Sequence, residues 1–215
     1  MGAFVTIALS IATLPGGLVA GFFIALAKQS RDPLIRLSAQ IYTTLFRSMP
    51  DLLTLFVVYY GAQSLFSAFT NATFGVGLNF SPFVAGMIAL GVVLASYVSE
   101  VFLSALRAIP HGQYEAAHAM GLHRWQTLRL IILPQLIRLA LPGLSNLWLG
   151  LMKDTALVSA ITLNDLLRET QIAVSSTKQP FFFYFVACMI YLAFSLISSV
   201  GIHRADAWAA RGAHR

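Results

Sequence analysis

No aspartate, glutamate, lysine or arginine stands between Asp51 and Glu100, and none precedes Lys28. Charge-free runs of this length cannot form the outside of a water-soluble domain, whose surface needs polar cover. In hydrocarbon every backbone polar group must be satisfied within the chain, so such runs are expected to cross a membrane. A helix rising about 1.5 Å per residue needs roughly 20 apolar residues to span a core of about 30 Å. Residues 3–27 supply one span. The stretch before Glu100 has room for two, over 50–70 and 80–100, divided by the polar, glycine-bearing break Thr70-Asn71-Ala72-Thr73-Phe74-Gly75-Val76-Gly77. Two further apolar runs, 130–152 with Arg138 near one end and 181–202, bring the expected crossings to five. Composition agrees, since 10% of residues are charged against roughly 25% for soluble domains. The 16 phenylalanines exclude a disordered chain. The expected fold is therefore all-α, a polytopic membrane protein forming a single transmembrane domain over 1–215.

The basic residues fix an orientation, because short loops rich in Lys and Arg stay on the cytoplasmic side. Lys28, Arg31, Arg36 and Arg47 follow span one; Arg107, Arg124, Arg129 and Arg138 follow span three; Arg204, Arg211 and Arg215 lie in the tail. The loop between spans two and three is uncharged, and the one between spans four and five balances Lys153, Arg168 and Lys178 against Asp154, Asp165 and Glu169. The N-terminus is thus expected outside and the C-terminus inside. Span one lacks the basic start of a signal peptide and is read as retained. Pro15-Gly16-Gly17 and Pro142-Gly143 are tolerable in membrane helices, either as packing sites or as hinges. Residues 157–167 are too short to span and are expected at the outer interface. The net charge of +6 is spread between apolar runs rather than gathered into a basic stripe with aromatic platforms, so nucleic acid is not expected as a partner.

The segment about 108–128 carries the most specific signal. Pro110 suits the start of a helix, Glu115 lies toward its N-terminal end, and Gly121 is placed to close it in a left-handed conformation. Helix, tight turn and second helix follow, with Ala116, Ala117 and Ala119 offering a face of low bulk. Glu115-Ala116-Ala117, Gly121 and then Ile132-Leu133-Pro134 resemble the EAA loop of importer permeases in the ATP-binding cassette (ABC) superfamily. Phe46-Arg47-Ser48-Met49-Pro50, Ile109-Pro110-His111-Gly112-Gln113 and Lys153-Asp154-Thr155-Ala156-Leu157 are similar to stretches of its polar amino acid uptake subfamily, departing at Ser48-Met49 and Ala156. The resemblance implies a bacterial inner-membrane subunit paired with a second permease or a second copy of itself. It also implies two cytoplasmic ATPase subunits that dock on Glu115, Ala116, Ala117 and Gly121, and an external binding protein that delivers a polar or cationic amino acid or an opine.

No G-x-x-x-x-G-K-[ST] cradle occurs, so ATP and magnesium are expected on the ATPase, with no cofactor on this chain and no enzymatic role for it. The histidines show no H-E-x-x-H spacing and Cys188 is single, so neither a metal site nor a disulfide is expected. In-membrane serines such as Ser96 and Ser99 are expected to bond neighbouring helices. A zwitterion crossing a low-dielectric path needs acceptors and donors. The candidates are Glu100, taken to close span three on the inner side, Lys153, Asp154 and Thr155, taken to follow span four on the outer side, and Arg47. Lys153 and Asp154 serve equally as a mutual ion pair or a cap, Glu100 as a partner of Arg107 or another loop arginine, and Arg47 as an inside anchor. A self-contained channel or secondary carrier is the alternative function, although no inverted repeat is evident.

Overall fold

The computed structural model describes residues 1–77, 81–161 and 163–210, without the side chains at 203 and 205–210. Thr162, the imidazole of His203, and the tail residues Arg211, His214 and Arg215 lie outside the described residues. Among those described, every regular element is helical. The order is α1 Gly2–Lys28, α2 Pro33–Ser48, α3 Asp51–Phe74, α4 Pro82–Ala108, α5 His111–Ala119 and α6 Arg124–Gln126. A π-helical segment Thr127–Ile132 then leads into α7 Leu133–Asp154, a 3₁₀ segment Thr155–Ile161, α8 Leu166–Thr177 and α9 Pro180–Ala210. Five stretches are long and apolar enough to cross a membrane: Gly2–Lys28, Asp51–Phe74, Pro82–Ala108, the composite Arg124–Ile161 and Pro180–Ile202.

Helix α4 is the axis of the bundle, with α1, α2, α3, α7 and the 3₁₀ segment all packed on it. Its contact with α1 is close because the facing residues are small. A Cβ on Gly17 would collide with Leu94, and one on Gly21 with Val98. Ala85 and Ala89 are wholly buried, and Gly86 faces Val158 of the 3₁₀ segment. The small residues of α4 therefore serve packing within the chain. Pro15 is carried inside an unbroken α1 and Pro142 inside α7, where Gly143 makes room for Val101. Several buried hydroxyls of α1 and α4 donate along their own helices, whereas the Thr54 hydroxyl of α3 is buried without a hydrogen-bond partner among the described residues. Thr6, Ser10 and Thr13 donate to the carbonyls of Gly2, Thr6 and Leu9 at 3.2, 2.9 and 2.7 Å, respectively. Ser96 and Ser99 likewise donate to Val93 and Ser96 at 2.7 Å, not to neighbouring helices as expected.

Three boundaries differ from the sequence expectation in ways that matter below. The stretch after span one is not a loop but the amphipathic α2, capped by Asp32, whose carboxylate accepts from the Leu34 N–H at 2.8 Å. Helix α4 runs two turns past Glu100, to Ala108. The segment beyond α7 is packed into the helical bundle, with Thr155, Val158, Ser159 and Ile161 buried.

Candidate functional site

At one end of the bundle α5 and α6 form the expected helix-turn-helix. Gly121 closes α5 with φ of +74°, and the Leu122 N–H reaches back to the Ala117 carbonyl at 3.1 Å, the long backbone bond of a glycine-terminated helix. His123 and Gln126 cap α6 reciprocally, at 3.4 and 3.2 Å. Gln135 of α7 donates to the Gln113 side chain at 3.1 Å, so α5 is tied directly to a spanning helix. Glu115, Ala116 and Gly121 are exposed. Ala117 is not: it is fully buried within its own chain. The low-bulk face available to another protein is therefore Ala116 and Ala119, while Ala117 is covered by its own chain, α5 packing on the π-helical segment.

The second feature lies deeper, where the sequence places its candidates on opposite faces and the fold brings them together. Helix α7 ends alongside the middle of α4, because the 3₁₀ segment continues the composite span toward Gly86 near the start of α4. Asp154, the last residue of α7, consequently shares a cavity of about 140 Å³ with Asp51 at the start of α3 and Tyr97 of α4. Leu55, Leu94, Leu147 and Gly150 complete its walls. Next to it, the Arg47 guanidinium sits 5.7 Å from the centre of the Tyr97 ring, within the range of a cation–π contact. Arg47 Nη1 also lies 3.2 Å from Glu100 Oε1, and the buried Lys28 Nζ donates to the same oxygen. A row of polar groups thus runs from Asp154 past Tyr97 and Asp51 to Arg47, Glu100 and Lys28. Glu100 has found a loop-one arginine, one of the partners open to it in the sequence.

Lys153 is exposed and does not line the cavity. Thr155 is buried, its hydroxyl committed to the Met152 carbonyl at 2.7 Å. The sequence reading missed Asp51 and Tyr97. The available signal was an ionisable residue opening an otherwise charge-free membrane helix, a placement that marks a functional position in its own right. Outside the spans, Asp165 is completely buried. Its Oδ1 accepts from the Arg168 N–H at 2.9 Å, capping α8, and its Oδ2 has no hydrogen-bond partner among the described residues. Burial raises its pKa above the ordinary carboxylate value, partly offset by the backbone donors at the cap.

Comparison with known proteins places this geometry. The family described as binding-protein-dependent transport system inner membrane component matches residues 17–207. The nopaline transport system permease protein NocQ of Agrobacterium fabrum is 38% identical over 213 residues, covering 98% of this chain and 90% of its own length. The histidine/lysine/arginine/ornithine transport system permease protein HisQ of Escherichia coli is 40% identical, covering 95% of each. Among solved structures, an amino acid ABC transporter with histidines superposes with a TM-score of 0.80 at 32% identity, over 95% of this chain and 91% of that one.

Proposed function

Because this chain belongs to the binding-protein-dependent transport system inner membrane component family, we propose that it forms half of the membrane pathway of an ATP-driven importer for cationic amino acids or opines. The observation that carries the substrate class is the cavity shared by Asp51 and Asp154, flanked by Arg47. A cationic amino acid presents two positive groups and one carboxylate. Two carboxylates lining the cavity and a guanidinium beside it supply the complementary set, and in a site of low dielectric an unmatched charge costs several kcal/mol. Relatives named for histidine, lysine, arginine, ornithine and nopaline support the same class. At about 140 Å³ the cavity is smaller than the roughly 300 Å³ at which ligand pockets begin, so a substrate needs the helices to part or a second permease to complete the site.

In this reading Glu115, Ala116 and Gly121 meet a cytoplasmic ATPase dimer that holds ATP and magnesium. Nucleotide-driven movement of α5 passes to the π-helical segment on which it packs and to α7 through the Gln113–Gln135 bond. An external binding protein delivers the substrate on the opposite side, and the second permease is a homologue or another copy of this chain. The N-terminus faces outward.

The deciding measurement is uptake by the reconstituted importer with its binding protein. Asp154→Asn and Asp51→Asn are each expected to raise KM for a cationic amino acid about tenfold, one lost charge contact being worth roughly 1.4 kcal/mol. Unchanged KM and rate in both variants overturns the site. An ATPase-free chain that transports by itself overturns the importer reading as well.

A further inference from the structure

A second cavity, of about 920 Å³, opens where the spanning helices meet α5. One wall is apolar: Leu26 near the end of α1, Leu106 near the end of α4, and Leu128 and Ile132 of the π-helical segment. Leu106 and Ile132 belong to the buried core, so this wall continues the membrane bundle. Tyr114 and His118 of α5, with Arg31, His123 and Arg124, also line the cavity. No acid is among the described residues that line it. Asp32, next to Arg31, is occupied by the N–H of Leu34, and Glu115 stays outside the lining. His123 Nδ1 accepts from the Gln126 N–H at 3.4 Å, which leaves Nε2–H as the donor of the neutral ring.

An apolar wall that leads out of the hydrocarbon onto a group of cations has the chemistry of an anionic amphiphile's receptor. Basic pockets between spanning helices at the cytoplasmic surface bind phosphate headgroups, and planar guanidinium groups match phosphate oxygens in pairs. Arg31 and Arg124 are far apart in sequence and are brought to one cavity only by the fold. We propose that this cavity binds a phosphate-bearing headgroup, with Arg31 and Arg124 holding the phosphate and Leu26, Leu106 and Leu128 receiving the first part of an acyl chain. Gly121 lines the same cavity, which therefore borders the turn that closes α5. The site is separate from the cavity of Asp51 and Asp154 and does not depend on which substrate the importer carries.

The test uses the purified importer complex and native mass spectrometry after exposure to dioleoyl phosphatidylglycerol or dioleoyl phosphatidylcholine. The wild type is expected to retain phosphatidylglycerol preferentially. Each arginine near an anionic headgroup contributes roughly fivefold, so R31Q/R124Q should lose about 25-fold in that retention. R36Q/R107Q, with the same loss of charge outside the cavity, should keep it. Leu128→Trp leaves every charge in place and fills the apolar wall, and it too should reduce retention. Inorganic phosphate distinguishes the sources: displacement of the retained lipid shows that the free anion suffices, and failure to displace it shows that the acyl chain is needed. Retention in R31Q/R124Q equal to wild type, or equal losses in both double variants, overturns the proposal.

Discussion

Gly121 and Asp165 show how single positions carry constraints of different origin. A Cβ on Gly121 would meet nothing within 4 Å in this chain, so within the chain the requirement for glycine comes from the backbone angle. Gly121→Val is expected to cost about 1–2 kcal/mol in the turn, leaving membrane insertion intact while uncoupling ATP hydrolysis from uptake. Gly121→Asn, whose side chain tolerates the left-handed region, should retain most of the coupling; hydrolysis and uptake measured side by side in proteoliposomes separate the two. For Asp165 the constraint is burial of charge. Its native pKa lies above the unfolded value, so the folded state takes up the proton first. Stability should therefore rise as pH falls through the raised value toward the ordinary carboxylate range, and level off below it. Asp165→Asn keeps the cap on α8 and has no proton to gain. Thermal unfolding in detergent across that range is expected to show a slope for the wild type that the variant lacks, with the variant at least as stable at neutral pH.

Elements are joined here by polar contacts as well as by packing. Lys28 ends α1, Arg47 lies in the last turn of α2, and both reach Glu100 of α4. Because Lys28 is almost wholly buried, removing its partner leaves an ammonium without compensation. Glu100→Gln is expected to destabilise the fold by about 3 kcal/mol, the lower end for a broken buried pair. Lys28→Met placed in that background should recover most of the loss, because the stranded charge is gone. Chemical unfolding of the four proteins in a double-mutant cycle measures this. No recovery would mean that Glu100 serves Arg47 alone. The connection between α2 and α4 has a second tie, the Tyr42 hydroxyl donating to the Val92 carbonyl at 2.6 Å.

At the scale of the molecule, large apolar side chains lie outside. Phe181, Phe185, Leu196 and Ile197 of α9 are exposed, as are Val57 and Leu65 of α3, which suits helices whose surroundings are lipid or a second permease. The orientation drawn from the arginines is open to direct measurement in a Cys188→Ser background, Cys188 itself being exposed on α9. On intact cells an impermeant thiol reagent is expected to label Thr73→Cys and to spare Gln113→Cys until the membrane is opened. Labelling of Gln113→Cys from outside would reverse the orientation and remove α5 from the side where an ATPase works.

The sequence by itself determined the membrane class, the five apolar stretches and the helix-turn-helix of α5 and α6. Each is a local property: the length of a charge-free run, or a glycine at a helix end. It held the signals for α2 as well, in Asp32-Pro33 and the apolar spacing Leu34, Leu37, Ile41 and Leu45, but Arg36 and Arg47 made the stretch read as a loop. Only the tertiary structure decided that Ala117 points into its own chain, that small residues of α4 pack within the chain, and that Asp51, Tyr97 and Asp154 line one cavity beside Arg47. A charge count assigns each residue to a face by assuming that spans end at the surface. Here Asp154 ends a helix midway along α4, and the buried 3₁₀ segment carries the chain onward. That depth follows from how α7 and the 3₁₀ segment pack on α4, and packing between distant segments leaves no periodic mark in the chain.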